Sequence, residues 1–388
     1  MPQDLKSCPF GQAPAPPQIN PQKTEAFIKL VKILAYKKQI KMKIKQLPED
    51  FIVEEQPFEY FEKDNGKGAY TYFLLKKKNI DSFTAVGKAA KAINRKTEEI
   101  SIAGIKDKRA ITFQVCSVKG KIKEYSDKFI EIKEKGRGER PVSSGFIKGN
   151  RFRIIVRDLP PCYKTKRQAV LVPNYYDSQR FGIGMNNIAI GKSIIKGDFS
   201  PALKSLRCES LNNLKRKDLA KKAKFFLSSY VSILFNKTLQ GIIKEGFNKT
   251  FDCPSLYQSF IAEKPDKHIN FGIPLAGFGM EQEIEELKHL EPGRYEQIKR
   301  ILKLIMDEEA VSESDFIIRA IPEISCESVL RNAFVDVSGF RVVDEKEDEL
   351  NPGKKKIYVE FMVPPGSYAT VVLKDLFADA IFNEKTYS

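Results

Sequence analysis

The sequence predicts an α+β protein, a mixed and largely antiparallel sheet domain interrupted by a mostly helical insertion, with a cleft between the two. Three observations predict it. Strand-like and helix-like stretches mix over residues 43–157 without the regular period of βαβ units. Residues 200–250 and 281–310 then turn into long helical patterns, and strand character returns at 333–343 and 357–363. A chain of 388 residues, at roughly 100–200 residues per domain, has room for two or three domains.

Taken in order, residues 1–22 hold six of the 21 prolines and read as a flexible arm. The discontinuous sheet domain spans 23–194 and 323–388, with the insertion at 195–322. Thr24 caps a helical stripe of Phe27, Leu30, Val31 and Leu34, ending near residue 38. Residues 43–75 are extended, and 68–78 are rich in aromatic and β-favouring side chains. Residues 82–96 have helical composition. Residues 99–118 read strand, loop, strand, and 143–157 read as a strand pair turning at Gly149-Asn150. Residues 200–250 form a long helical stretch whose first half is basic, whereas 281–310 are helical and acidic. A helix over 368–382 closes the pattern.

Charge points to a polyanionic partner. The formal net charge is +16, unevenly spread: residues 1–250 carry 50 basic and 24 acidic side chains, and residues 251–388 carry 16 and 26. No run of roughly 18 apolar residues suggests a membrane helix. The first residues lack a charged-then-apolar signal segment, so a cytoplasmic protein is expected. The six cysteines are too far apart for C-x-x-C zinc or redox spacing and read as reduced thiols. Two histidines, His268 and His289, make no metal site. Phosphate-binding P-loop, dinucleotide and nucleophile-elbow motifs are missing. The groups left for catalysis are carboxylates, Lys, Tyr, Ser, Cys and the backbone.

Four polar clusters stand out. In the loop between two strand patterns, Asp107 follows Gly104 and Lys106 and precedes Lys108 and Arg109. A cation about 5 Å away, at an effective dielectric near 20, contributes roughly 3 kcal/mol of attraction, which favours an ionised carboxylate that can serve as nucleophile or base. The same pattern also suits a turn former on a solvated loop. Asn174 to Gly182 interleaves Tyr175, Tyr176 and Phe181 with Asn174, Gln179 and Arg180. These types stack on bases, read their edges and pair with phosphate, and they equally fill a core. At Pro364-Pro365-Gly366-Ser367 a strand runs into a turn, placing Tyr368 at a helix start. Finally, Lys45 precedes Glu49 and Asp50. Adjacent acids on a strand face opposite ways, so these two do not share a substrate atom, and Lys45 is a charge partner for a distant carboxylate.

In this order the clusters resemble the TruD family of tRNA pseudouridine synthases. Lys45-Gln46-Leu47-Pro48-Glu49-Asp50-Phe51-Ile52-Val53-Glu54 resembles the first ten positions of the family's K-x-x-P-E-D-F-x-V-x-E segment. Ala103-Gly104-Ile105-Lys106-Asp107, with Ala110, Thr112 and Gln114, matches A-G-x-K-D-x-x-A-x-T-x-Q. Gly149-Asn150-Arg151-Phe152 matches G-N-x-F. Asn174 to Gly182 matches N-Y-[FY]-G-x-Q-R-F-G at all but one position, and residues 364–370 resemble P-x-G-S-[FY]-A-T.

The resemblance implies a pseudouridine synthase-type catalytic domain carrying a family-specific insertion. It implies that Asp107 is the catalytic aspartate, that Tyr176 stacks on the target uracil, and that Lys45 is the basic residue beside the acid. Lys106, Asn174, Gln179, Arg180 and Tyr368 fall on positions that bind RNA or support the pocket. The substrate implied is tRNA, at uridine 13 of the D arm. Isomerisation leaves the composition of the nucleotide unchanged, so no cofactor or metal is required, and a monomer without membrane contact is expected. Asp177 departs from the family pattern by replacing Gly. A carboxylate pointing inward would oppose an ionised Asp107, so Asp177 is expected to face solvent. The competing readings are a non-catalytic RNA-binding protein and an RNA hydrolase using Asp107 as general base.

Overall fold

The computed structural model describes residues 42–57, 68–164, 171–246, 250–253, 260–263 and 270–377. The proline-rich arm over 1–22, the helix expected over 24–38 and the end of the helix expected over 368–382 lie outside the described residues.

In chain order the elements are β1 (Phe51–Pro57), β2 (Tyr70–Lys78), α1 (Ser82–Ala92), β3 (Ser101–Ile102), β4 (Ile111–Lys119), β5 (Tyr125–Ser126), β6 (Ile130–Gly138), β7 (Ile147–Leu159) and β8 (Leu171–Pro173). A helical stretch follows: α2 (Asn186–Ile195), α3 (Ser200–Leu206), α4 (Leu211–Leu214) and α5 (Lys217–Gly246). Next come β9 (Thr250–Cys253), β10 (Phe260–Glu263), β11 (Gly272–Pro274), α6 (Met280–Leu290) and α7 (Tyr295–Glu309). The remaining elements are β12 (Leu330–Asn332), β13 (Phe334–Asp336), β14 (Ser338–Glu347), β15 (Lys355–Val363) and α8 (Ala369–Leu376).

Nine strands form one sheet in the order β14-β15-β7-β1-β4-β2-β6-β5, with β3 also paired to β4. Every pairing is antiparallel except β1–β4, which is parallel. The expected α+β class with a mixed, largely antiparallel sheet is therefore what the chain forms. Alternation explains the burial of β15 and of most of β7. Ile357, Val359, Phe361 and Val363 of β15 and Phe152, Ile154 and Val156 of β7 turn one side into the main core. On β2, Phe73 and Leu75 pack under α1, whose Ala85, Ala89 and Ala90 allow close approach. Asp81 caps that helix, its carboxylate accepting the Thr84 amide at 2.9 Å.

One local reading is corrected. Gly149-Asn150 is not a turn between two strands, because both residues lie inside the continuous 13-residue strand β7. The glycine is there for a different reason. A Cβ at 149 would stand 2.7 Å from the Val363 carbonyl oxygen on the neighbouring strand.

The central strands are tied to their flanks by buried charge. Arg157 on β7 is 2% exposed. Its guanidinium donates to Asp50 at 3.0 Å and to Asp348 at 2.8 Å. Asp50 also accepts the Leu47 amide at 2.7 Å, which fixes the chain just before β1. In α5, residues from Phe226 to Ile243 are mostly buried, while Lys215 and Arg216 before it and Lys217, Lys221, Lys222 and Lys224 within it are exposed. The sequence's basic half-helix is thus a solvent face.

Candidate active site

The loop from β3 to β4, residues 103–110, is irregular yet pinned by side chains from four elements. Gln114 of β4 donates to the Gly104 carbonyl at 3.1 Å. Ser82, at the start of α1, accepts the Lys106 amide at 2.8 Å and donates back to its carbonyl at 3.2 Å. Glu55 of β1 pairs with the Lys106 ammonium at 2.5 Å and accepts the Val115 amide at 2.7 Å. Burial pushes the Glu55 carboxyl up, and the attraction of Lys106 only partly opposes it. Lys77 of β2 donates to the Asp107 carbonyl.

This frame presents the Asp107 side chain at a cleft. Its Oδ1 lies 3.1 Å from Lys45 Nζ and accepts a hydrogen bond from Gln179 Nε2 at 3.0 Å. Lys45 has a positive φ of 58°, and its ammonium sits 4.0 Å from the centre of the Phe51 ring. The cleft, of about 580 Å³, is lined among others by Phe51, Asp107, Asn150, Phe152, Gln179 and Tyr368. Its size suits a small ligand or an everted nucleotide.

The sequence-derived candidates separate into three groups. Asp107, Lys106, Gln179 and Tyr368 line the cleft, and Lys45 reaches the Asp107 carboxylate. Lys106 lines it with its ammonium committed to Glu55. Asn174, Tyr176 and Arg180 are not among the lining residues. Asn174 is buried, donating to the Asn332 carbonyl at 2.8 Å and accepting from Arg331 at 2.6 Å. The same Arg331 donates to the Gly366 carbonyl at 3.3 Å, so it ties the Asn174 segment to the 364–367 turn that walls the cleft. Its guanidinium covers the Tyr176 ring at 4.0 Å. Phe235 and Tyr368 meet the same ring edge-on. The Tyr176 main chain is held by Asn236 of α5 through two hydrogen bonds of 2.9 Å. Arg180 packs against Tyr176 and the exposed Phe225.

Asp177 overturns its expectation. It does not face solvent: it is 2% exposed, and its carboxylate accepts from Lys374 of α8 at 2.6 Å and from the Ser178 amide at 2.7 Å. Burial alone would raise its pKa, but the Lys374 ammonium and the hydrogen bonds leave it below the usual carboxylate range. The charge that replaces glycine is thus neutralised locally.

Asn150 and Phe152 line the cleft although neither was singled out from the sequence. They lie two residues apart on β7 and so share a face. The signal was present in the Gly149-Asn150-Arg151-Phe152 match, but reading Gly149-Asn150 as a turn removed them from any sheet face.

Comparison with known proteins agrees with this architecture. The family model described as tRNA pseudouridine synthase D (TruD) matches residues 30–223 and 286–376. A probable tRNA pseudouridine synthase D 1 of Methanococcus maripaludis is 28% identical over 87% of this chain and 99% of its own length. The tRNA pseudouridine synthase D of Aquifex aeolicus is 27% identical over 88% and 99%. The crystal structure of the Methanosarcina mazei chain assigned as TruD shares the fold, with a TM-score of 0.55 and 24% identity over 87% of this chain and 93% of that one. The fold and the sequence relatives define the class, that of pseudouridine synthases. Within it, the chain belongs to the TruD family of tRNA pseudouridine synthases.

Proposed function

We propose that this TruD-family isomerase converts uridine to pseudouridine at position 13 in the D arm of tRNA, with Asp107 as the catalytic carboxylate and no cofactor. The observation that carries the assignment of Asp107 is its position at the cleft, with one oxygen held by Lys45 and Gln179. Oδ2 has no hydrogen-bond partner among the described residues, and we take it as the reacting oxygen.

In the reaction the C1′–N1 bond breaks, the uracil turns, and a C1′–C5 bond forms. The C5 proton leaves and N1 gains one, so atoms and oxidation state balance within the nucleotide. Asp107 starts the sequence either by attacking C1′ or by removing a sugar proton to give a glycal. Lys45 and Gln179 hold the carboxylate on target, the first by an ion pair and the second by a hydrogen bond to an anionic acceptor. Phe152 and Tyr368 line the cleft and are better candidates for the uracil platform than Tyr176, whose face is covered by Arg331. Stacking on such a platform is worth about 1–3 kcal/mol.

Opening the RNA stack costs a few kcal/mol. Phosphate contacts from the exposed Lys215, Arg216, Lys217, Lys221, Lys222 and Lys224 offset it, and these side chains belong to the proposed insertion at 195–322. We take the protein to act as a cytoplasmic monomer. With roughly 6–10 phosphate contacts, affinity falls about 10³–10⁵-fold between about 50 and 200 mM salt.

The test is tritium release from uracil C5 in a labelled tRNA transcript, with the modified position mapped by sequencing. Isomerisation releases tritium and leaves the chain intact. A binding protein releases none, and a hydrolase shortens the RNA. Asp107→Asn abolishes release and keeps RNA binding, whereas retained release removes Asp107 from its role.

A further inference from the structure

Lys77 breaks the pattern of the strand that carries it. The period of two on β2 puts it on the face of Phe73 and Leu75, a core position. It is 0% exposed. Its ammonium meets main-chain carbonyls instead of a carboxylate, donating to Ile80 at 2.9 Å and to Asp107. Burying an ammonium without a directly bonded counter-ion is costly, and an apolar residue of similar length would fill the same space. Burial pushes the Lys77 pKa down to about 8, with Asp107 and Asp81 pulling it back and Lys106 adding to the fall.

We infer that Lys77 is the positioning residue of the Asp107 loop, gripping the main chain of the reacting residue from inside the protein while Lys45 and Gln179 grip its carboxylate from the cleft. The carbonyl and the carboxylate of one residue are then held by different elements, β2 on one side and the 45 and 179 segments on the other. That fixes both the place and the direction of the side chain in a loop that has no regular secondary structure. The neighbouring anchors, Ser82 and Glu55, hold Lys106 and leave the Asp107 peptide itself to Lys77. The inference rests on the reading of Asp107 as the reacting group.

The experiment compares the full-length wild type with Lys77→Met. Hydrogen exchange is followed over residues 103–110 and over β2, β4 and β6. Single-turnover tritium release at saturating tRNA and the Kd for tRNA are measured alongside. Exchange at 103–110 rises about tenfold or more while the strands keep wild-type protection. The rate falls about 10–100-fold, as expected for losing a hydrogen bond from a charged donor, and the Kd stays within about twofold. Wild-type exchange in the loop together with a wild-type rate overturns the inference. A lowered Tm with an unchanged rate and unchanged loop exchange does so too, since that is a structural role alone. Should Lys77→Met fail to fold, Lys77→Gln is judged by the same outcomes. If the wild type itself releases no tritium, the reading of the function fails, while the exchange measurement still decides whether Lys77 anchors the loop.

Discussion

Gln179 donates to Oδ1 of Asp107 at 3.0 Å across 72 positions of sequence, onto the same oxygen that Lys45 faces at 3.1 Å. The Gln179 amide and the Lys45 ammonium, from distant segments, thus converge on one carboxylate oxygen, and in the proposed function the other is the reacting atom. Gln179→Leu and Lys45→Met should each lower the single-turnover rate about 10–100-fold, because hydrogen bonds to charged groups are worth about 1.5–3 kcal/mol. tRNA affinity should change little. A wild-type rate in either variant would separate that residue from catalysis.

The buried pair of Asp177 and Lys374 should respond sharply to single substitution. Lys374→Met leaves the Asp177 charge uncompensated and should cost about 3–5 kcal/mol in urea unfolding, whereas the double variant Asp177→Leu/Lys374→Met should recover most of it. The sign with pH follows from the depressed Asp177 pKa. Its contribution is present above the carboxylate's unfolded pKa and is lost as pH falls through the lower folded value. Wild-type stability should therefore decline below about pH 4, and Lys374→Met should show less of that decline.

Lys77 gives a slope of the same sign in a more alkaline window. Its folded pKa, about 8, lies below the 10.5 of the free side chain. Between those values the unfolded chain holds a proton that the folded chain has released, so stability rises with pH across this window. Lys77→Met should remove that slope, measured as the difference between the two proteins' urea midpoints at about pH 7 and pH 10.

Gly149→Ala should push the added methyl against the Val363 carbonyl. Relief requires β7 and β15 to part, which should destabilise by about 1–3 kcal/mol, read as a lower Tm. Asn150, next to it on β7, should move with the strand, lowering the tritium-release rate as well.

The alternating strands and the two helical blocks were legible because burial follows periods of two and 3.6 that a single sequence displays. The Asp107 loop was legible as a cluster of charges after a glycine. Its anchors were not. Lys77, Ser82 and Glu55 act on main-chain groups or on Lys106 from separate elements, and no local spacing announces such pairings. Gly149 misled because glycine serves both turns and close strand contacts, and only the β15 register distinguishes them. Asp177 misled because its counter-charge, Lys374, lies 197 positions away.

The β7–β15 pairing also bears on synthesis. Arg157 meets Asp348 across 191 positions, and the segment 365–370 that walls the cleft follows directly after β15. A nascent chain that has already made the Asp107 loop and β7 still exposes an unpaired strand edge and a half-built pocket until the ribosome has delivered nearly two hundred more residues. Premature termination anywhere in the helical stretch between them would release a protein holding the Asp107 loop without the 365–370 wall of its cleft.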